Sequence, residues 1–553
     1  MAQITTNVSA TLESLRRRPL LLGAALVFAT LLLYIPVLHH DFLNVWDDDV
    51  YITKNVHIRS GLTWANVAWA FTTLKPFYWQ PLTLLSHMAD CQFFGLNSGA
   101  HHYINVLLHA ANVLLLFLLL QRATGTVWRS FLVAALFAVH STNVETVAWA
   151  AERNNLLNAF FTLVTVAVYG WYVRRPGWRR YLAVVAVFSL ASMSKPVAVI
   201  VPAILLLLDY WPLKRDDTQP FLKRWGWLLL EKVPLILIGF GTSALTMAGE
   251  QASATLLSLS ALPVSTRIEN AAISYVAYIG KILWPVRLSP FYPHPVMTLG
   301  TSLPLGDVAA SALILAAITF LVIHLRRKQY ALMGWLFFLA TLVPMIGIVQ
   351  TGFQARQDHF TYIPCIGLFI FLVWSVGDAI ESMPIAPVVP LLGSLCLLTG
   401  YAAVTVHYLQ YWQNSVTLFG RALAVADAPN PWLEQLYGIA LSDAGRTDEA
   451  LQHYKASCAL GPGNEYCHYF IAEILFDRRQ FSSAVEEYQR ALMLTGKRDL
   501  VLMCLNKSAE ALLEMGDDAA ANAALVNALK IDPNNATALA LQERSFQPRE
   551  AVP

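Results

Sequence analysis

The chain has 553 residues, of which 56% are hydrophobic and only 13% are charged, and its formal net charge is +2. This composition is too apolar and too aromatic for an ordinary soluble protein and indicates a membrane protein with several spans. The last quarter is polar, mixed in charge and rich in Ala, which indicates a second domain. Six cysteines without paired spacing argue against a zinc module or a disulfide scaffold. Nucleic acid is not among the expected partners.

The first element is an apolar segment over residues 19–37, which is long enough to cross a bilayer. Arg16, Arg17 and Arg18 precede this segment, so the positive-inside rule places the N-terminus in the cytoplasm. No small-residue cleavage site follows it, and we therefore predict an anchor rather than a signal peptide. The polar loop over residues 39–102 is then extracytoplasmic.

Ten further spans follow from the apolar segments and from the basic clusters between them. The predicted spans cover residues 19–37, 103–120, 131–148, 156–173, 181–194, 197–211, 233–248, 307–325, 332–350, 362–377 and 386–407. The fifth and sixth are short and could form a tilted or buried hairpin. If residues 271–285 also crossed, Arg326, Arg327 and Lys328 would lie outside, so we predict that this segment lies along the outer interface. Eleven spans place the C-terminal domain outside the cytoplasm, together with the first loop.

The first 408 residues therefore form a membrane helix bundle, and residues 409–546 form a repeat array. Three units begin near Pro431, Glu465 and Leu502. Each has a small residue at its eighth position, Ala at its twentieth and a bulky apolar residue at its twenty-fourth. These residues are Gly438, Ala472 and Ala509; Ala450, Ala484 and Ala521; and Tyr454, Tyr488 and Leu525. This is the tetratricopeptide pattern.

We expect a half-unit over residues 411–428 before the three repeats, a capping helix over residues 536–546 after them, and a tail over residues 547–553. The predicted fold class is thus all-α, a membrane bundle followed by a tetratricopeptide solenoid. Such arrays bind peptides or partner proteins in a concave groove, although three units could instead brace the membrane domain.

Cys458 ends one repeat and Cys467 begins the next, so the fold could bring their thiols together. An exported domain lies in a compartment that permits a disulfide. Helix geometry could equally point the two side chains apart, and we expect the thiols to stay unbonded.

Polar residues lie at the outer ends of the predicted spans. The stretches are residues 44–51 with three consecutive carboxylates, then residues 79–82, 101–109, 140–145, 152–154, 195–196 and 356–362. Ionisable residues at membrane depth are costly and usually face a cavity, although any one of these stretches could simply cap a helix. Adjacent carboxylates on a loop can accept a proton or hold a divalent cation. Their occurrence on one side of the membrane predicts one polar cavity that faces outward.

The order of these motifs carries a family resemblance. They read WDDDVY, YWQPLT, HHYINVLLHAAN, LFAVHSTNVETVAWAAERNN, MSKPVA and RQDHFTYIP, and tetratricopeptide repeats follow. This order resembles the transmembrane and tetratricopeptide-repeat O-mannosyltransferases of the endoplasmic reticulum and their bacterial relatives, which belong to the GT-C superfamily of glycosyltransferases. The chain departs from the motifs at Ser141, where Pro is common, and at His359, where Arg is common.

The resemblance implies a multi-pass enzyme, in the inner membrane if the source is bacterial, that moves a sugar from a polyprenyl-phosphate carrier to an acceptor outside the cytoplasm by a single inverting displacement. The acceptor hydroxyl would belong to Ser or Thr of a protein bound by the repeats. The alternatives are a non-catalytic scaffold that recruits partners through its repeats and, less favoured because the spans lack an internal repeat, a transporter.

Transfer to a hydroxyl needs a base on the acceptor side and positive charge on the departing phosphate. By similarity the base is Asp48 or Asp47, with Asp48 favoured and Asp49 a helix cap. Glu145 and Glu152 would complete the acidic side, and Asp48 with Glu145 could hold a divalent cation, Mg²⁺ or Mn²⁺. The groups predicted near the donor phosphate are Lys195, Arg153, Arg356 and His102.

Overall fold

The computed structural model describes residues 13–74, 78–215, 220–252, 257–296 and 300–545. It divides into two compact units between Leu418 and Phe419. Both units are helical, and the predicted all-α fold class is confirmed. The predicted tail over residues 547–553 and the last residue of the predicted capping helix, Phe546, lie outside the described residues.

The first unit is a bundle of helices joined by short loops. Its helices are Pro19–Leu33, Val56–Arg59, Trp64–Thr72, Pro81–Phe94, Ser98–Thr124, Val127–Val139, Val144–Ala148, Arg153–Arg174, Trp178–Ser194, Val201–Tyr210, Phe221–Ala252, Val264–Leu283, Leu305–His324, Gln329–Leu342, Pro364–Glu381 and Val388–Leu409. Single helical turns cover Ile35–His39, Asp49–Thr53, Ser141–Asn143, Ala150–Glu152, Pro196–Ile200, Asp358–Thr361 and Gln410–Trp412. Two short antiparallel strands, Tyr292–Pro293 and Gln354–Arg356, pair with each other in the segments between helices.

Seven helices of the described residues are long and apolar enough to cross a membrane. They are Pro19–His39, Ser98–Thr124, Ala150–Arg174, Leu222–Gln251, Leu305–His324, Pro364–Glu381 and Val388–Trp412. An eighth span is possible by the same criteria if the pair Val127–Val139 and Ser141–Ala148, which is bent by 50°, counts as one. The first unit is thus a multi-pass membrane domain.

The remaining three predicted spans coincide with helices that are shorter than a full span. They are Trp178–Ser194, Pro196–Tyr210 and Gln329–Leu342, with 17, 15 and 14 residues. The segment predicted to lie along the outer interface is part of the helix Val264–Leu283, which is absent from the candidate spans of the described chain. Its Arg267 guanidinium donates hydrogen bonds to the carbonyls of Leu262 and Ile348, at 3.0 and 3.1 Å.

The sequence explains where the long helices end and how closely they pack. Asn97 caps Ser98–Thr124 by accepting the Ala100 N–H at 3.0 Å, and Gly125, with a φ of 70°, ends the helix in the left-handed region. Elsewhere Gly334 and Gly367 face each other, and a Cβ on Gly334 would lie 2.5 Å from the Gly367 carbonyl oxygen. Small residues of this kind let membrane helices approach closely.

The second unit consists of helix pairs. They are Pro431–Asp443 with Thr447–Leu460, Glu465–Asp477 with Phe481–Leu494, and Arg498–Met515 with Asp518–Ile531, followed by Ala536–Ser545. The helix Ser415–Val425 occupies most of the predicted half-unit. The small and bulky positions of the repeat pattern meet within a pair, since a Cβ on Gly438 would lie 2.6 Å from the Tyr454 ring. Tyr454 also stacks on Phe470 of the next pair, with ring centroids 5.1 Å apart.

Cys458 and Cys467 form a disulfide, so the expectation of two unbonded thiols was wrong. The reason is the tight turn between the two helices. Gly461 to Asn464 reverses the chain, with the Asn464 N–H donating to the Gly461 carbonyl at 2.8 Å, and this brings the two Cα atoms to 5.6 Å. A Cα separation in this range is the usual one for a disulfide.

Candidate functional site

The three consecutive carboxylates of the first loop have different surroundings. Asp48 is fully buried, and its two oxygens accept the N–H groups of Leu43 and Ala151 at 2.8 and 2.9 Å. Asp49 pairs with the exposed Lys54 at 2.9 Å. Asp47 is partly exposed, and its carboxylate makes no hydrogen bond or ion pair with any residue that the structure describes. Of the three, Asp47 therefore has its oxygens open to a substrate.

Burial raises the pKa of the Asp47 carboxyl to about 7. The negative charges of Glu152 and Asp49 raise that pKa further, while His359 and Lys195 lower it. Burial also raises the pKa of Asp48 to about 7, against the opposing effect of its two backbone N–H partners. A carboxyl whose pKa is near 7 is suited to general-base work at neutral pH. The two carboxyl groups therefore have similar pKa values, but only that of Asp47 is accessible to a substrate.

Several charged side chains contact one another in series, and three of them, Glu152, His359 and Lys195, shift the pKa of Asp47. The Glu145 carboxylate accepts the His359 backbone N–H at 3.1 Å and lies 2.8 Å from His359 Nδ1. His359 Nε2 lies 3.5 Å from Glu152 Oε1, and Lys195 Nζ lies 3.5 Å from Glu152 Oε2. Asn155 also donates to Glu152. The structure thus brings together Glu145, Glu152 and Lys195, which the sequence had singled out.

His359 joins these residues, although the sequence analysis gave it no role. It was noted as part of the polar stretch over residues 356–362 and as a departure from the Arg that is common in the family motif. Its two ring nitrogens face two carboxylates, Glu145 and Glu152, from opposite sides of the ring. A basic residue between two buried acids stabilises both of them. The signal was present in the sequence as a basic side chain directly after Asp358.

A second polar group forms around Asp358, on the other side of the same turn. Lys281 Nζ lies 3.0 Å from Asp358 Oδ1, and the Tyr292 hydroxyl donates to Asp358 Oδ2 at 2.9 Å. Lys281 and Arg356 both lie over the Tyr292 ring, at 3.3 and 5.1 Å from its centre. Two cations therefore lie against the ring of Tyr292, and one of them, Lys281, pairs with Asp358. Arg356 was predicted near the donor phosphate, whereas Lys281 was missed because its helix was assigned to the interface.

The other two residues predicted near the phosphate point their polar atoms elsewhere. Arg153 is fully buried and donates to Asp90 at 2.7 Å, to Ser86 at 2.9 Å and to the His101 carbonyl at 2.8 Å. His102 Nε2 lies 3.2 Å from the Asp41 carbonyl. In the described part of the chain neither residue forms an ion pair or hydrogen bond with Glu152, Lys195 or His359. Their role at the phosphate stays a prediction.

The residues predicted to hold a divalent cation do not fit one. Both oxygens of Asp48 accept backbone N–H groups, and both oxygens of Glu145 contact His359. A cation needs carboxylate oxygens that converge on one point. Among the described residues, neither carboxylate belongs to a group of three convergent ligand atoms.

A small pocket adjoins His359. Its polar lining comes from Asn155, Asn158, Thr162, Thr341, His359 and Tyr362. The rest of its lining is mostly apolar and includes Val197, Ile200, Ile204, Met345, Phe360 and Ile363. The polar chain around Glu152 thus lies beside an apolar surface within the membrane domain.

Comparison with known proteins gives partial matches to one kind of enzyme. No family model matches the chain. The Protein O-mannosyl-transferase TMTC2 of mouse is 28% identical over 162 residues, which is 27% of this chain and 19% of that protein. The human TMTC2 gives the same values. The Protein O-mannosyl-transferase Tmtc1 of Drosophila melanogaster is 26% identical over 121 residues, which is 22% of this chain and 14% of that protein.

The matched region spans less than a fifth of the length of these relatives, and the chain resembles them over that region. Among solved structures, the Arabidopsis OM64 TPR domain is 19% identical and matches 21% of this chain and 93% of that chain, with a TM-score of 0.20. The APC/C hetero-tetramer Cut9-Hcn1 is 11% identical and matches 84% of this chain and 90% of that chain, with a TM-score of 0.23.

Proposed function

We propose that the protein is a membrane glycosyltransferase that moves a sugar from a polyprenyl-phosphate carrier to a Ser or Thr hydroxyl of a protein outside the cytoplasm. The observation that carries this proposal is the surroundings of Asp47. It has a partly exposed carboxylate with a pKa of about 7, no side-chain partner in the described structure, and buried charged residues nearby. The resemblance to O-mannosyltransferases supports the same reaction class.

In the proposed reaction Asp47 accepts the proton of the attacking hydroxyl as its oxygen bonds to the anomeric carbon. The bond between that carbon and the phosphate oxygen breaks, and the carrier phosphate leaves with the bonding electron pair. The base is thus Asp47 rather than the favoured Asp48, because backbone N–H groups occupy both oxygens of Asp48. A base must come within hydrogen-bond reach of the proton it takes, and Asp47 is the more accessible of the two.

The departing phosphate needs positive charge. Lys195, Arg356 and Lys281 supply three cations in two groups that the turn at Asp358 and His359 joins. Fixed cations that face developing negative charge lower the barrier of such a displacement. The proposed transfer takes place in a single displacement, which inverts the configuration of the anomeric carbon.

The test compares matched carboxylate variants. Purified parent, Asp47→Asn and Asp49→Asn would be given radiolabelled polyprenyl-phosphate sugars, with mannose first, and a peptide rich in Ser and Thr. We expect Asp47→Asn to lower turnover by about 10²- to 10⁴-fold, the usual value of general-base help, while Asp49→Asn stays near the parent. Equal transfer by all three proteins would remove Asp47 from the mechanism.

A second candidate is the scaffold, which the tetratricopeptide unit favours because such arrays bind proteins. It predicts that the parent transfers no sugar from any donor and that Asp47→Asn supports growth or export as well as the parent does. Under the glycosyltransferase proposal the same array recruits the acceptor protein, and deletion of residues after 418 would then weaken transfer to proteins more than transfer to short peptides.

A further inference from the structure

Three potential metal ligands meet near the end of the first loop, away from Asp47, Glu152 and His359. His87 and Asp90 lie three residues apart on the helix Pro81–Phe94, so their side chains share one face. His101 lies in the first turn of Ser98–Thr124, after a turn at Gly95 with a φ of 61°. One ligand atom from each of the three residues lies within 4.8 Å of the others. The two histidines are 0% exposed and Asp90 is 5% exposed.

The hydrogen bonding of His101 fixes which ring nitrogen is free. Its Nε2 lies 3.0 Å from the Gly95 carbonyl oxygen, which can only accept, so Nε2 carries the proton. Nδ1 then directs a lone pair toward Asp90 Oδ2, 3.6 Å away. Two lone pairs that face each other in a buried site repel unless a positive charge lies between them. Metal-bound histidines commonly donate their other N–H to a backbone carbonyl in this way.

His87 adds a second free imidazole. Neither of its ring nitrogens has a hydrogen-bond partner among the described residues, although the side chain is fully buried. An unpaired buried polar group is costly and calls for a ligand. Its ring lies nearly parallel to that of His101, at 15°, with centroids 6.3 Å apart.

Arg153 orients the carboxylate of the cluster. Its Nη2 donates to Asp90 Oδ2 at 2.7 Å and to the His101 carbonyl at 2.8 Å. Outer hydrogen bonds of this kind hold a ligating carboxylate in place. A carboxylate offers about four lone-pair positions, so Asp90 can accept from Arg153 and still face the two imidazoles. Arg153 is therefore a positioning residue and not a ligand.

We propose that His87, Asp90 and His101 bind one divalent transition-metal ion, with Zn²⁺ as the best-suited occupant. Two imidazoles and one carboxylate are a common zinc ligand set, and the fourth position would be taken by water. Zinc bonds of about 2.0–2.1 Å place tetrahedral ligand atoms about 3.4 Å apart, close to the 3.6 Å between Asp90 and His101. The ion would join the two helices of the first loop region, and this proposal does not depend on the glycosyltransferase reaction.

The test uses the full-length protein in detergent, without a polyhistidine tag. The protein is treated with a chelator, dialysed against Zn²⁺ and then against metal-free buffer, and its bound metal is measured by mass spectrometry. We expect about one Zn²⁺ per chain for the parent and less than about a fifth of that for His87→Ala and His101→Ala. His40→Ala is the matched control, because His40 is also buried and, among the described residues, has no partner for either ring nitrogen and belongs to no three-ligand group. It should retain the ion.

A second measurement uses the parent protein alone, so that it gives a result even if the variants do not fold. Co²⁺ is added to the chelated parent, and the visible absorption of tetrahedral Co²⁺ is recorded. A visible band that Zn²⁺ displaces supports the site, as does a drop in the parent's unfolding temperature on chelation that Zn²⁺ reverses. A parent without bound metal, without a Co²⁺ band and with unchanged unfolding after chelation would overturn the proposal, as would equal metal loss in His40→Ala.

Discussion

Asp47 and Asp48 are consecutive residues with similar pKa values and different access. The pKa of Asp47 gives a pH dependence with a definite sign. A general base works in its ionised form, and Asp47 becomes protonated as the pH falls below about 7. We expect kcat/KM of the parent to fall about tenfold per unit below that pH. A profile of kcat/KM between pH 5 and pH 8 measures this, and an activity that stays constant down to pH 5 would assign the proton to another acceptor.

Asp48 has a different expected phenotype. Asp48→Asn replaces one of two accepting oxygens by an NH₂ group, so the N–H of Leu43 or Ala151 loses its acceptor. An unpaired buried donor costs about 1–3 kcal/mol. We expect a lower unfolding temperature with turnover per folded molecule within about tenfold of the parent. A loss of turnover larger than that of Asp47→Asn, at unchanged stability, would restore Asp48 as the base.

The candidate site could be predicted from the sequence only in part, because side-chain partners depend on tertiary packing. Polar residues at span ends indicated Glu145, Glu152 and Lys195, and these do meet. The same reasoning predicted that Arg153 lies near the phosphate. Its guanidinium instead forms an ion pair with Asp90, a buried carboxylate on another helix. Lys281 was missed because residues 271–285 were predicted to lie along the interface, where nothing in the sequence pointed to Asp358 as its partner.

At the scale of elements, the contact between Gly334 and Gly367 makes a simple prediction. Gly334→Ala would place a Cβ 2.5 Å from the Gly367 carbonyl oxygen, which the helices can relieve only by moving apart. Overpacking of this kind costs about 1–3 kcal/mol. Gly393→Ala is the matched control, because its Cβ would meet nothing within 4 Å. Thermal unfolding in detergent should show a lower transition for Gly334→Ala alone, and equal transitions would contradict the close packing.

The disulfide makes a prediction for the repeats. Cys458→Ser should lower the free energy of unfolding of the repeat unit by roughly 2–3 kcal/mol, the loop-entropy value for a short closed loop. A reducing agent should lower the unfolding temperature of the parent and leave that of the variant unchanged. Two thiols in the parent that react freely with a maleimide before reduction would exclude the bond.

Helix positions were more predictable than helix lengths and bends. Each of the eleven predicted spans overlaps a helix, because long apolar runs have few other ways to satisfy their backbone groups in lipid. The bend between Val139 and Ser141 was missed, since it depends on His140, whose Nε2 lies 2.9 Å from the Ile282 carbonyl of a distant helix. In the repeats, the third unit begins at Arg498, a turn before the predicted Leu502.

At the scale of the whole molecule, membrane topology remains a prediction. Eleven crossings place residues 409–546 outside the cytoplasm, whereas seven or eight crossings by length and composition leave the parity open. An alkaline phosphatase, which is active only after export, would be fused after residue 545, and a cytoplasmic reporter would be fused at the same position. We expect phosphatase activity alone. Activity of the cytoplasmic reporter alone would require an even number of crossings.

Glu152 and Arg153 lie next to each other in the chain but point into separate polar neighbourhoods. Glu152 faces Lys195 and His359, while Arg153 faces Asp90 and Ser86. Because consecutive Cα atoms are only about 3.8 Å apart, a shift in one neighbourhood reorients the other through one peptide unit. Under the proposed transfer reaction, changes at Ser86 or Asp90 should therefore alter turnover from a distance, and their effects should be non-additive with those of changes at Glu152.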